Sequence, residues 1–205
     1  MKPNTIAKRK ELVIIMIGGT HMLQSDRIQF RKMVSEDIEM YHKWRNDMDV
    51  MMTTSPFLDV YSLAETRDFV EQVILHSSNS KCYIMEAKAT SMAIGVVSLI
   101  NIDAKNQNAE CVIDIGEKEY WGKGYGGEAL RLLLNYAFLE LNLHRVALKV
   151  FSFNEKAVHL YKKLGFKQEG WSRENLYRYG KWHDVIHMGI LKDEFVEHLS
   201  KDNQL

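Results

Sequence analysis

The densest chemical signal in the chain is Tyr120-Trp121-Gly122-Lys123-Gly124-Tyr125-Gly126-Gly127, lying between a strand-like apolar run and an amphipathic helical one. Glycines let successive backbone N–H groups converge, and a helix start adds partial positive charge, so the segment suits an anion such as a phosphate. Gly122, Gly124 and Gly127 satisfy G-x-G-x-x-G, but a dinucleotide site needs an acid about 20 residues on. Lys149, Val150 and Phe151 occupy that place. The P-loop spacing fails as well, because Lys123 is followed by Gly124. A glycine-rich turn without a ligand remains open on this loop alone. Asn154, Ala157 and Tyr161 share one face of a helix that starts at Asn154. There Tyr161 reads as a core aromatic and Asn154 as an N-cap. Glu110 and Asp114, four apart on a strand, share a face unless a bulge intervenes. A carboxylate beside an apolar cleft can have its pKa raised toward neutrality and serve as a base.

These residues need elements to position them. Residues 26–33, with Ile28, Phe30 and Met33 apolar, read as a half-buried strand. Ser35 is the expected N-cap of a helix running to about Asn46. Pro56 interrupts the next stretch, and Ser62 with Glu65 makes a capping box for a helix over about 63–76. Three apolar runs, 82–87, 93–102 and 109–115, read as an antiparallel meander. After the glycine loop come a helix with Leu130, Leu133, Leu134, Ala137, Phe138 and Leu141 on one face, a strand over 144–151, and a helix over 154–164 that Gly165 stops. Strands over 166–177 and 182–191 and a polar helix close the chain. With no linker or repeat, 25–205 reads as one mixed α and β domain behind an extension over 1–24.

Composition narrows the partners. The 205 residues carry 27 basic and 27 acidic side chains, and a zero total offers no global field to gather nucleic acid or an anionic membrane. The apolar run Leu12 to Ile17 behind Lys8, Arg9 and Lys10 imitates a signal peptide, but it is short and lacks a small-residue cleavage site. Nothing approaches the roughly 18 apolar residues of a membrane span. Cys82 and Cys111 form no C-x-x-C motif, which fits reduced thiols and a cytoplasmic protein. His183 and His187 lack a third ligand, so no metal is expected.

Trp121-Gly122-Lys123-Gly124-Tyr125-Gly126 before a helix resembles the acetyl-coenzyme A pyrophosphate loop of GNAT N-acetyltransferases, [QR]-x-x-G-x-[GA], with Trp121 in place of Gln or Arg. Asn154 to Phe166 is similar to the N-x-x-A-x-x-x-Y-x-x-x-G-F segment of the same family. The order and spacing of the two agree with that fold. The resemblance covers about residues 26–192 and is nearest to the branches that acetylate ribosomal-protein N-termini and spermidine. It implies a twisted, mostly antiparallel sheet of about seven strands flanked by helices, with one splayed strand pair holding acetyl-coenzyme A. The backbone at Asp114, Ile115 and Gly116 would pair with the pantetheine arm, and N–H groups from Trp121 to Gly127 would hold the pyrophosphate, with Lys123 at its rim. Asn154 and Ala157 would touch the cofactor. Tyr161 matches the general acid and Glu110 the base, while Lys149 replaces a glutamate that other members carry on the strand after the helix.

Residues 31–71, the acceptor side in the family, hold nine acids against five bases, whereas residues 140–182 hold nine bases against four acids. An acidic wall would favour a cationic amine, though a solvated helix surface explains it equally. Met48, Met51 and Met52 could border the acceptor cleft. Trp171, Tyr177, Tyr179 and Trp182 could line an acceptor pocket, make a homodimer contact or simply pack the hairpin. The reading is an acetyl-coenzyme A dependent N-acetyltransferase acting on a protein N-terminus, polyamine or amino sugar. A non-catalytic coenzyme A sensor and a nicotinamide oxidoreductase are the alternatives.

Overall fold

Ile28 and Phe30 turn inward while Gln29 and Arg31 stay partly exposed, and this alternation makes the first strand, β1 (Ile28–Lys32). The computed structural model describes residues 23–202. After β1 come the helices α1 (Ile38–Arg45), α2 (Met48–Thr54) and α3 (Leu63–Phe69, widened into a π-helical turn over Val70–Leu75). The meander follows as β2 (Lys81–Ala87), β3 (Met92–Asp103) and β4 (Asn108–Ile115). Then come α4 (Tyr125–Asn135, continued to Glu140), β5 (Arg145–Phe151), α5 (Glu155–Lys163), β6 (Lys167–Arg178), β7 (Lys181–Leu191) and α6 (Lys192–Asp202). The sheet has seven strands in the order β1-β2-β3-β4-β5-β7-β6.

Every neighbouring pair is antiparallel except β4 and β5, which are joined through α4 and therefore run parallel. That pair holds together at only three positions, Asn108 with Arg145, Ala109 with Val146 and Glu110 with Ala147. Beyond Glu110, β4 stays with β3 as far as Ile115 and β5 stays with β7 as far as Phe151. The two strands thus part and open a gap in the middle of the sheet.

Period-two alternation gives the sheet two cores. Leu99, Cys111, Val146, Leu148 and Ile190 pack against Leu130, Leu133, Leu134 and Phe138 of the long helix and Phe195 of α6 on one face. Cys82, Ile84 and Val96 pack against Ile38, Trp44 and Val70 on the other. Gly165 stops α5 with φ +95°, as the sequence predicts.

Two local expectations change, and one further helix appears ahead of Pro56. Ser35 does not cap: residues Ser35–Asp37 form a 3-10 turn, and the Asp37 carboxylate instead accepts the Val34 N–H at 2.9 Å and pairs with Arg31. Burial works to raise the Asp37 pKa, but these hydrogen bonds outweigh it and hold the carboxyl below its usual range. The stretch before Pro56 is a helix, capped by Asp47 through the Asp49 N–H at 3.0 Å. Leu23 and Gln24 already belong to the domain, since Phe30 N–H donates to the Leu23 carbonyl at 2.7 Å and Gln24 bridges Gln29. The rest of the expected extension, with the Leu12 to Ile17 run, lies outside the described residues.

The end of β4 is strapped to the first helices. The Trp44 ring lies on Gly116, where an added Cβ would collide with it, and its indole N–H donates to Glu117 at 2.9 Å. Lys43 adds an ion pair to Glu117 at 2.8 Å, and Lys118 bridges Asp47 and Asp49. Gly116→Ala should therefore overpack this joint and destabilise the fold by about 1–3 kcal/mol in urea unfolding, with a change in tryptophan emission. An unchanged midpoint and emission would show that Trp44 does not depend on the glycine.

Candidate active site

The gap between β4 and β5 is one end of a cavity of about 800 Å³ that the glycine loop, α5, α2 and β6 enclose. Gly122 (φ +71°) and Gly124 (φ +84°) take the left-handed turn that bends the chain into α4. Because α4 begins at Tyr125, the N–H groups of Tyr125, Gly126 and Gly127 have no partner within the helix, and they surround the entrance. A Cβ on Gly122 would meet nothing within 4 Å, so the outer loop is open. Gly127 faces Leu160 of α5, whose Cδ1 would stand 3.1 Å from an added Cβ.

Arg27, which sequence reasoning missed, braces this loop. Its guanidinium donates to Glu128 and, at 3.0 Å, to the Lys123 carbonyl, and it stacks on Tyr125 at 4.5 Å. Only its position one residue before β1 hints at this, and no motif marks it.

Trp121 and Gly116 show which backbone groups face the open edge of β4. Gly116 N–H donates to Ile94 at 2.9 Å, and the Asp114 carbonyl leans over Gly95, so both are committed to β3. By alternation, Ile113 and Ile115 turn their backbone groups to the gap. The Ile115 carbonyl accepts the Trp121 indole N–H at 2.8 Å. Of the three residues expected to pair with a pantetheine arm, Ile115 therefore points the right way, and Asp114 reaches the cavity with its side chain.

Asn154, Ala157 and Tyr161 all line the cavity. Asn154 caps α5 by accepting the Ala157 N–H at 3.2 Å. Tyr161 packs edge-on against Phe166, with 6.0 Å between ring centroids. Burial above all, and then the neighbouring Cys111 and Asp114, push its phenol pKa up, so it carries its proton at neutral pH.

The register of β4 against β3 is unbroken from Glu110 to Ile115, so Glu110 and Asp114 share the face that α1 to α3 cover. Glu110 pairs with Lys149 at 3.1 Å. Asp114 lies further along the strand, and burial pushes its carboxyl up to about 6, with nearby Thr54 opposing the rise. The Thr54 hydroxyl donates to the Val50 carbonyl at 3.0 Å. Cys82 and Cys111 are both buried free thiols.

Helix α2 contributes Val50, Thr53 and Thr54 to the cavity rather than the expected Met48, Met51 and Met52. Helical spacing turns Met51 into the protein and leaves Met48 exposed. Pro56, Phe151, Asn175 and Val185 complete that wall, and no motif picks them out. Trp171, Tyr177, Tyr179 and Trp182 stand outside it, exposed on the hairpin. His187 bonds Ser172 at 2.8 Å and His183 packs on Phe153. Among the described residues no three His, Cys, Asp or Glu side chains gather as a metal site, and no helix is long and apolar enough to cross a membrane.

An N–H cradle at a helix start, opening into a cavity in a split sheet with a protonated phenol on its wall, suits a transferase that takes an anionic donor. Residues 27–167 match the family described as the acetyltransferase (GNAT) domain. The chain is 31% identical to spermidine N(1)-acetyltransferase of Escherichia coli K12 over 85% of its own length and 91% of that protein. It is 42% identical to the putative ribosomal N-acetyltransferase YdaF of Bacillus subtilis, over 49% of this chain and 55% of that one. The structure of Vibrio cholerae spermidine N-acetyltransferase with CoA and spermine superposes with a TM-score of 0.77 at 30% identity, covering 84% of this chain and 99% of the other. The chain belongs to the GNAT acetyltransferases. Its acetyl donor is acetyl-coenzyme A, and the open glycine loop, the first-turn N–H groups and the cavity fit that molecule.

Asp114 also leaves a signature in stability. Its carboxyl binds a proton more tightly in the folded chain than at the unfolded value of 3.8, so its contribution favours the fold at low pH and is lost as pH rises through about 6. Asp114→Asn should thus stabilise the protein by up to about 3 kcal/mol at pH 8 and hardly at all at pH 4. Thermal melts of both proteins at the two pH values check this, and equal shifts at both would contradict it.

Proposed function

We propose that the enzyme acetylates a primary amine whose remainder is neutral, entering from the α2 and β6 side, with Tyr161 as the general acid. The observation that carries this is the gap itself. One cavity passes through the sheet, with the anion cradle and Tyr161 on the α4 and α5 side and a separate wall on the α2 side. Acetyl-coenzyme A, when bound, supplies an activated acyl carbonyl and a thiolate leaving group. The glycine loop and the start of α4 would bind its phosphates, and the edge of β4 at Ile113 and Ile115 would orient the arm. Tyr161 would hold a proton on its phenol oxygen for the departing sulfur. The β4 to β5 gap would keep the acceptor nitrogen opposite.

The acids of residues 31–71 support a neutral acceptor remainder, because several are spent within the protein. Asp37 pairs with Arg31, Asp47 and Asp49 pair with Lys118, and Glu65 caps α3 by taking the Ser62 N–H at 2.8 Å. Beyond Asp114 and the pair of Glu110 and Lys149, the acceptor side is lined by Val50, Thr53, Thr54, Pro56, Phe151 and Asn175, which are apolar or neutral. Such a wall suits a monoamine or a peptide N-terminus better than a polycation. The likeness to spermidine acetyltransferases favours polyamine as the second reading.

Thiol release from acetyl-coenzyme A with spermidine, a neutral dipeptide and a simple monoamine separates the two. The dipeptide or monoamine should give the higher kcat/KM, and preference for spermidine would reverse the acceptor assignment. Tyr161→Phe should lower kcat by about 10²-fold or more. Full turnover at every pH would remove Tyr161 as acid, and no transfer by the unmodified enzyme to any amine would leave coenzyme A sensing.

A reducing compartment such as the cytoplasm suits the two free thiols. The exposed hairpin aromatics, with Tyr177 and Trp182 paired at 5.0 Å, support a homodimer through β6 and β7. Light scattering should then give twice the chain mass, and Tyr179→Ala with Trp182→Ala should halve it. A monomer in the unmodified protein would dismiss this contact.

A further inference from the structure

Two carboxylates reach the cavity, and the structure treats them differently. Glu110 stands where β4 and β5 are still paired and is neutralised there by Lys149 at 3.1 Å. Asp114 stands four residues further along β4, two repeats of the pleat, where the strands have parted. Thr54, the last residue of α2, lines the cavity beside it with its hydroxyl donating to the Val50 carbonyl at 3.0 Å, and among the described residues no cation pairs with Asp114. Tyr161 lines the same cavity from α5. A carboxylate without its own cation, between the acceptor wall and the acid, is a seat for an ammonium group.

We propose that Asp114 is the general base, taking a proton from the ammonium group of the acceptor; this rests on the acetyl-transfer reading above. R–NH3⁺ gives one proton to the Asp114 carboxylate, which passes it to solvent. The freed nitrogen lone pair forms the C–N bond to the acetyl carbon as the C–S bond breaks. Tyr161 gives its phenol proton to the sulfur, and the second proton from the nitrogen restores the phenol. The products are the amide, coenzyme A thiol and one released proton.

The groups facing Asp114 leave it as the residue that titrates near neutrality. Tyr41 on α1, Cys82 on β2 and Tyr161 on α5 all have their pKa raised, chiefly by burial, and stay neutral. Glu110 and Lys149 form their pair further out. Burial of Asp114 itself puts the change near pH 6.

The experiment measures kcat between pH 5 and 9, at saturating acetyl-coenzyme A and amine, for the unmodified enzyme, Asp114→Asn and Glu110→Gln. The unmodified enzyme should lose turnover below about pH 6, and Glu110→Gln should keep that limb. Asp114→Asn should lose the limb and about 10²-fold in kcat at pH 7.5, with KM for acetyl-coenzyme A within about twofold. The loss should shrink to less than about tenfold with 2,2,2-trifluoroethylamine, which is mostly unprotonated at pH 7.5. A structural role would cost both amines equally, and that result overturns the proposal. So does an acidic limb that survives in Asp114→Asn or disappears in Glu110→Gln. Should Asp114→Asn fail to fold, Thr54→Val serves instead. Removing the hydroxyl that stabilises the charged carboxylate should move the inflection upward, and an unmoved inflection overturns the assignment. Absence of transfer by the unmodified enzyme to every amine would instead sink the acetyl-transfer reading itself.

Discussion

The parting of β4 from β5 is the constraint on which the rest of the structure depends. Two parallel strands that separate after three residue pairs leave backbone donors and acceptors unpaired in the middle of a sheet. Such groups are costly to bury without partners. The opening is held by what lies on either side: β3 keeps β4 in register to Ile115, and β7 keeps β5 in register to Phe151. A ligand that paired with the exposed edge would complete the sheet there.

Rigid joints at the mouth of the gap keep it from closing. Trp44 on Gly116, Lys43 on Glu117 and Lys118 between Asp47 and Asp49 tie the acceptor-side helices to the segment that leads into the glycine loop. Arg27 ties the same loop to β1 from the opposite layer. Each exposed ion pair is worth little singly, at about 0.2–1 kcal/mol. Together they connect the cradle and the wall through several independent contacts. The same economy accounts for Asp114, whose half-buried carboxylate costs stability at neutral pH where its chemistry would be used.

Much of this was legible in the residues. The capping box at Ser62 and Glu65, the left-handed Gly165 and the three-stranded meander all stand where local rules put them, because each depends on neighbours close in sequence. The charge split between residues 31–71 and 140–182 was less informative. The count is correct, but Asp37, Asp47 and Asp49 find their cations in the fold, so the acidic segment does not become an acidic wall. Met48, Met51 and Met52 show the same limit: composition marked the helix, and only its rotation brought Val50, Thr53 and Thr54 to the cavity instead.

By itself the sequence determined the glycine cradle, the helix face of Asn154, Ala157 and Tyr161, and the shared face of Glu110 and Asp114. Each follows from backbone periodicity and glycine's access to positive φ, which are properties of a few consecutive residues. Tertiary structure alone decided which carboxylate is left without a cation. Lys149 is 39 residues from Glu110 and meets it because β5 lies beside β4 at that point and diverges from it before Asp114. Long-range strand pairing, which no local pattern encodes, thus distinguishes two side chains that are alike in sequence.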